Sequence, residues 1–208
     1  MRALLVCCLV AGAAACQRTD AADKRADTPV AVTPAAQDQE QQRFDSERRP
    51  EKIVEALALR PGDRVADIGA GSGLLTIHLA KAVAPNGRVI ATDIDGTVLD
   101  LLAQRLDAAG LGSIVERRVV SADTPGLEPA TYDAILLAEV DHYFTDPAAW
   151  LRSAATALKP GGRIVISNRV YHRAQSMAAA RKAGLVLKSE SNPDATRFIA
   201  VFVPEKKP

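Results

Sequence analysis

The chain is poor in aromatic residues and has almost no excess of either charge. Aromatics make up 4% of 208 positions, and 26 Lys and Arg against 25 Asp and Glu leave a net charge of +1. Such a composition offers neither a basic footprint nor a base-stacking surface, so no nucleic-acid partner is expected. Cysteine is scarcer still: Cys7, Cys8 and Cys16 are the only three, all near the N-terminus. The rest of the chain has no thiol for a disulfide, a metal site or nucleophilic catalysis. The apolar run after Arg2, ALLVCCLVAGAAA, is too short to span a bilayer comfortably as a permanent helix. What remains, 48% hydrophobic and 25% charged, is an ordinary globular composition. The length suits one domain with a sizeable core.

Met1 and Arg2 give a positive start, the apolar run follows, and small residues precede an abrupt polar turn at Gln17. This is the layout of a secretory signal. Its end, AAAC, resembles a bacterial lipoprotein lipobox, with Ala13 where that motif more often has Leu. The resemblance implies a signal over residues 1–16, cleavage before Cys16 and lipidation of Cys16. It further implies a protein exported to the bacterial cell envelope, facing the periplasm and held to a membrane by its lipid. Gln17 in place of Asp implies no inner-membrane retention. A plain cleaved signal is the alternative. Residues 17–42, rich in Ala, Asp, Gln, Thr and Pro, are expected to be a disordered linker. A flexible chain of that length has an end-to-end distance of roughly 25–30 Å. The folded domain is expected over residues 43–208.

That domain alternates between two periodicities. PEKIVEALAL has helical spacing, with Pro50 at its start and Pro61-Gly62 as its stop. RVADI, RVIATD, SIVERRVV, YDAILLAEV and RIVIS read as five strands. Helices are expected over residues 73–83, 97–109, 147–158 and 173–183. LVLKSE and RFIAVFV then follow with no helix between them. Alternation demands a parallel sheet with right-handed crossovers. The fold expected is therefore α/β, a doubly wound, mostly parallel sheet of seven strands with an antiparallel C-terminal strand.

The segment VADIGAGSG carries the most chemistry. A short strand ends in Asp67, three glycines make a tight turn, and a helical pattern begins. Glycines let the backbone turn sharply and let a ligand approach where a Cβ would collide. A second acid, Asp93, ends the next strand about 20 residues on, the spacing of a ribose-binding carboxylate. Leu74 occupies the position where a dinucleotide fingerprint needs a small residue, which counts against a nicotinamide-dependent oxidoreductase. Asp67, Asp93, Asp95, Asp123, Glu139 and Asp141 all fall at or just past strand ends, which face one crevice in a doubly wound sheet. Such a rim repels a pyrophosphate and accepts a ligand with positive charge and ribose hydroxyls. Caps or solvated loop positions remain the plain alternative, above all for Asp95, Asp141 and Asp146.

Taken in order, VADIGAGSG, ATDID, SAD, YDAILLAEVDHYF and ALKPGGRIVIS resemble the motifs of class I S-adenosylmethionine-dependent methyltransferases, with AGLVLKSE and RFIAVFVP matching the terminal strands. The resemblance implies S-adenosyl-L-methionine as cofactor and methyl transfer by direct displacement. It implies that Asp67 and the backbone of Gly69, Ala70, Gly71 and Gly73 hold the methionine end, and that Asp93 accepts both ribose hydroxyls. Asp123 would accept the adenine amino group with Ala122 and Ile94 beside the ring, and Ala138 and Glu139 would line the crevice near the sulfonium. Residues 43–50 would form part of a lid. The acceptor, a small molecule or a protein side chain, is not named by any motif.

A dedicated base is needed only when the acceptor arrives protonated, because the cofactor supplies the activated carbon. The loop EVDHYFTDP is the place for acceptor chemistry: His142 as a base near neutral pH, Tyr143 to orient an acceptor, Phe144 to shape its pocket. The plainer reading is that His142 and Tyr143 pack or cap. His78, His172 and Trp150 read as structural, Trp150 at a core position of its helix. A non-catalytic ligand-binding module that retains the fold is the alternative function.

Overall fold

The computed structural model describes residues 33–205. The signal, Cys16 and the linker as far as residue 32 lie outside the described residues. Five strands, β1 (Arg64–Ile68), β2 (Arg88–Asp93), β3 (Val115–Val119), β4 (Tyr132–Ala138) and β5 (Leu158–Arg169), run parallel. Two more, β6 (Leu185–Asp194) and β7 (Arg197–Pro204), close the sheet as a hairpin, with β7 antiparallel to both β5 and β6. The order is β3-β2-β1-β4-β5-β7-β6. This is the expected seven-stranded, doubly wound sheet. Between Val65 and Ile68, β1 is buried at every position, as a strand covered on both faces must be.

Helices cover the two faces. α2 (Pro50–Leu57), α3 (Thr76–Val83) and α4 (Gly96–Ala108) lie on one side, where Ile53, Leu57, Leu79, Val83, Leu102 and Leu106 join Val65, Val89, Leu136 and Ile199 in one core layer. α5 (Pro147–Ala155) and α6 (Arg173–Lys182) cover the other, where Trp150, Leu151 and Ala180 meet Ile90, Ile135, Leu137, Ile166 and Phe198. Boundaries moved where turn chemistry outweighed periodicity. The Lys159-Pro160-Gly161-Gly162 stretch was expected to follow a helix reaching residue 158. Instead α5 stops at Ala155 and β5 starts at Leu158, with a register shift against β4 between Tyr132 and Ala134. α3 likewise begins at Thr76 rather than at Gly73.

The largest departure lies before residue 43. Residues 34–42, expected in the disordered linker, form the first part of a 15-residue helix, α1 (Pro34–Arg48), whose N-cap Thr33 accepts a hydrogen bond from the Ala36 N–H. This helix has almost no apolar stripe; Phe44 is the side chain it packs on the core. Its attachment is polar. Glu40 pairs with Arg105 at 2.7 Å, Asp45 with His78 at 2.8 Å, and the Gln41 amide donates to the Leu74 carbonyl at 2.9 Å. A helix held by side-chain pairing leaves no hydrophobic period to read, so composition alone assigned it to the linker.

Candidate functional site

β1 is flanked by β2 on one side and β4 on the other, and the chain leaves it in opposite directions, so a crevice opens above its carboxyl end. The glycine turn sits there. Gly69 has φ 68°, and a Cβ on it would collide with the Val140 side chain. Gly73 has φ 84°, and a Cβ would come within 2.7 Å of Leu102 Cγ. Gly71 is held differently: its N–H donates to Asp93 Oδ2 at 2.9 Å, and Asp93 Oδ1 accepts the Asp95 N–H at 3.1 Å. Asp95 itself caps α4 by accepting the Thr97 N–H at 2.8 Å, the plainer of its two expected roles.

A cavity of about 240 Å³ opens beside this turn. Ile68 of β1 with Gly69 after it, Thr92 and Asp93 of β2 with Ile94 after them, and Val120 to Ala122 with Thr124 from the loop after β3 make its walls. Val140, Tyr143 and Phe144 from the loop after β4, and Trp150 from α5, complete it. Trp150 and Phe144 stack at 4.4 Å with their rings 10° apart. Two of the lining residues bury a polar atom with no partner among the described residues, Thr92 Oγ1 and Trp150 Nε1. Each such atom costs on the order of 1–3 kcal/mol when nothing answers it. The cavity is thus mainly apolar, with a carboxylate at its rim and hydrogen-bonding capacity left over.

Of the residues singled out in the sequence, Gly69, Asp93, Ile94, Ala122, Tyr143 and Phe144 meet at this cavity. Others do not line it. Asp67 is buried beneath the turn, where its Oδ2 accepts the Thr76 hydroxyl at 2.6 Å. Burial pushes its pKa up to about 6; the Thr76 hydrogen bond opposes that rise and the charge of Asp93 adds to it. Asp123 turns its carboxylate to Thr145, accepting from the backbone N–H at 2.9 Å and the hydroxyl at 2.8 Å. Glu139, in the left-handed region at φ 57°, takes three guanidiniums on one oxygen: Arg48 at 2.9 Å, Arg169 at 3.2 Å and Arg197 at 3.5 Å from Oε1. Ala70, Gly71, Gly73 and Ala138 border the crevice through the turn and the end of β4 without forming the cavity wall.

His142 also stands outside the cavity, and its imidazole is not free to act as the expected base. The Asn168 amide nitrogen lies 3.0 Å from His142 Nδ1 and 2.6 Å from Asp141 Oδ1, while Asn168 Oδ1 accepts the Arg169 N–H at 2.7 Å. That pattern fixes the amide orientation, makes Nδ1 an acceptor and leaves the neutral ring's proton on Nε2. Burial, reinforced by neighbouring His172, lowers the pKa of His142. Asp141 is buried and structural: besides Asn168 it holds the Ser176 hydroxyl of α6. His78 is structural too, as a partner of α1.

Sequence reasoning missed Ile68, Thr92, Val120, Ser121, Thr124, Val140 and Trp150 as cavity residues. Helical spacing did place Trp150 on the buried face of α5, where it is 3% exposed. Nothing local says that the loop after β4 folds Phe144 onto it and leaves a gap beside the pair.

Residues 66–164 match a protein-family model described as "Methyltransferase domain". An uncharacterized 37.1 kDa protein in transposon TN4556 of Streptomyces fradiae is 34% identical over 114 residues, 55% of this chain and 32% of that protein. The ubiquinone/menaquinone biosynthesis C-methyltransferase UbiE of Teredinibacter turnerae is 33% identical over 113 residues, 54% of this chain and 45% of that protein. The chain thus spans less than half the length of these curated relatives. Among solved structures, a SAM dependent methyltransferase from Aquifex aeolicus superposes with TM-score 0.69 at 21% identity, covering 79% of this chain and 96% of that one. Geranyl diphosphate C-methyltransferase from Streptomyces coelicolor, in complex with S-adenosyl-L-homocysteine, gives 0.68 at 15%, covering 86% of each. The [4+2]-cyclase SpnF gives 0.67 at 14%, covering 77% of this chain and 82% of that one.

Proposed function

We infer that this chain, built on the seven-stranded Rossmann-like fold of class I methyltransferases, is an S-adenosylmethionine-dependent methyltransferase. The observation that carries the reading is the apolar cavity at the switch point of the sheet, with Asp93 on its rim and the glycine turn beside it. The residues present fit the cofactor. An apolar gap suits a purine and a carboxylate suits vicinal hydroxyls, while Thr92 Oγ1 and Trp150 Nε1 in the cavity's lining residues have no partner among the described residues. In this reading Asp93 accepts the ribose hydroxyls, and Ile94 and Ala122 flank the base. The glycine turn keeps Cβ atoms clear of the methionine end.

When bound, the cofactor supplies a methyl carbon already activated by its sulfonium leaving group. The chain's task is alignment and exclusion of water. Alignment of two reactants in one site removes several kcal/mol of barrier. α1 lies against the glycine turn through Gln41 and Arg105, which donates to the Ser72 carbonyl at 3.0 Å, and against the crevice through Arg48. It is the element that closes this side from solvent. With the His142 Nδ1 lone pair occupied, the site favours acceptors that arrive ionised or need no general base.

A fold shared with a cyclase does not fix the reaction, so binding and turnover need separate tests. Calorimetry with S-adenosylmethionine reads the first; mass spectrometry of S-adenosylhomocysteine across an acceptor panel reads the second. Absence of binding defeats the reading, and binding without product leaves a ligand-binding module on the same fold.

The lipobox-like AAAC motif supports a further part of the proposal: lipidation at Cys16, a membrane anchor and a place in the cell envelope. Palmitate labelling that disappears in Cys16→Ala tests it. An envelope site also requires a supply of cofactor outside the cytoplasm.

A further inference from the structure

We propose that the methyl acceptor is a planar aromatic compound bearing an anionic group, its ring held on a ladder formed by Tyr143, His142, His172 and Tyr171 and its charge turned toward Arg169. The proposal names the acceptor class for the methyltransferase reading and rests on it.

The ladder is continuous. Ring centroids lie 4.0 Å apart between Tyr143 and His142, 4.0 Å between His142 and His172, and 4.3 Å between His172 and Tyr171. The two imidazoles stack within 15° of parallel. In a chain with only three tyrosines and three histidines, two of each meet here. Tyr143 and Tyr171 are each 75% exposed, so large ring surface is open to solvent at both ends of the ladder. The His142 ring is held by a buried polar network. Asn168, Asp141 and Ser176 are nearly inaccessible, and Asn168 pins His142 from below. A rigid buried network that presents exposed rings is the arrangement of a preorganised binding face. Tyr143 also belongs to the cavity wall, so the ladder adjoins the cofactor site.

The charged groups come from α1, the end of β5, the start of β7 and Glu139 just after β4. Arg48, Arg169 and Arg197 converge on Glu139, and Arg197 also meets Asp194 at 3.0 Å. With the buried Asp141 carboxylate bonded to Asn168 next door, the charges balance, and exposure decides which guanidinium an anion can reach. Arg169 is the partly exposed member, and its side chain meets Glu139 and no other acid among the described residues. It precedes Tyr171 by two positions, as Glu139 precedes His142 by three. A partly exposed guanidinium two residues from a ring of the ladder suits an aromatic carboxylate or phenolate, which can stack and pair at once.

The test uses the full chain and three probes: hydroxynaphthoate, neutral naphthol and non-planar cyclohexanecarboxylate. Each is titrated with and without S-adenosylhomocysteine, whose own affinity is measured separately. Hydroxynaphthoate should bind most tightly. Tyr171→Ala should weaken both naphthalene probes by about three- to tenfold and leave cyclohexanecarboxylate unchanged, while Tyr171→Phe keeps wild-type affinity. Arg169→Gln should bring hydroxynaphthoate down to the level of naphthol. S-adenosylhomocysteine affinity should be the same in all variants. Equal binding of cyclohexanecarboxylate, an inert Tyr171→Ala, or no naphthoate binding by a chain that does bind S-adenosylhomocysteine overturns the proposal. The expected probe pattern in a chain that ignores S-adenosylhomocysteine keeps the aromatic platform and removes the cofactor reading instead.

Discussion

The Gly71 N–H donates to Asp93 Oδ2 at 2.9 Å, tying the turn after β1 to the end of β2. One carboxylate therefore does two things. It fixes the glycine turn and stands at the rim of the cavity, so the turn is already shaped before any ligand arrives.

Asp93→Ala should weaken S-adenosylmethionine binding by about 1–3 kcal/mol through loss of charge-assisted hydrogen bonds. Asp93→Asn retains an acceptor for Gly71 and should lose less. Calorimetry decides between them, and an unchanged dissociation constant for the alanine variant removes Asp93 from the site.

Gly73→Ala should destabilise the fold by about 1–3 kcal/mol. The new Cβ meets Leu102 at 2.7 Å, a buried side chain of α4, in a backbone conformation that L residues rarely adopt. Urea denaturation measures the loss. Gly110→Ala, at φ 67° with open space around it, is the control for strain without collision.

Asp67 makes stability depend on pH in an unusual sense. Its folded pKa is raised from 3.8 to about 6, so between those values the folded state binds more protons than the unfolded chain. Its contribution is therefore full below about pH 4 and is lost as pH rises through about 6, at a cost of about 3 kcal/mol. Asp67→Asn cannot ionise and keeps an acceptor for Thr76. Denaturation curves from pH 4 to 7 should show a falling slope in the wild type that flattens in the variant; parallel curves would rule out Asp67 as its source.

Arg105 is 6% exposed and links α4 to both the glycine turn and α1, donating to the Ser72 carbonyl and pairing with Glu40. Arg105→Met should release α1 and leave the sheet in place. Hydrogen exchange should quicken over residues 34–48 and not in β1, β4 or β5. Unchanged protection of α1 would mean that Asp45, Gln41 and Arg48 suffice to hold it.

Legible in the chain alone were the alternation of strands and helices, the antiparallel ending, the glycine turn and the position of Asp93. Each follows from a local pattern: period two or near 3.6, a breaker at a turn, an acid at a strand end. Tertiary structure alone decided the rest. It placed α1 on the domain by ion pairs that span dozens of residues, and it gave Asp67 to Thr76 and Asp123 to Thr145. It also brought Arg48, Arg169 and Arg197 to one oxygen of Glu139 and stacked Phe144 on Trp150 beside a gap. The reason is physical: periodicity records which face of an element is buried, whereas a polar partner distant in sequence is chosen only when packing brings the two groups within reach.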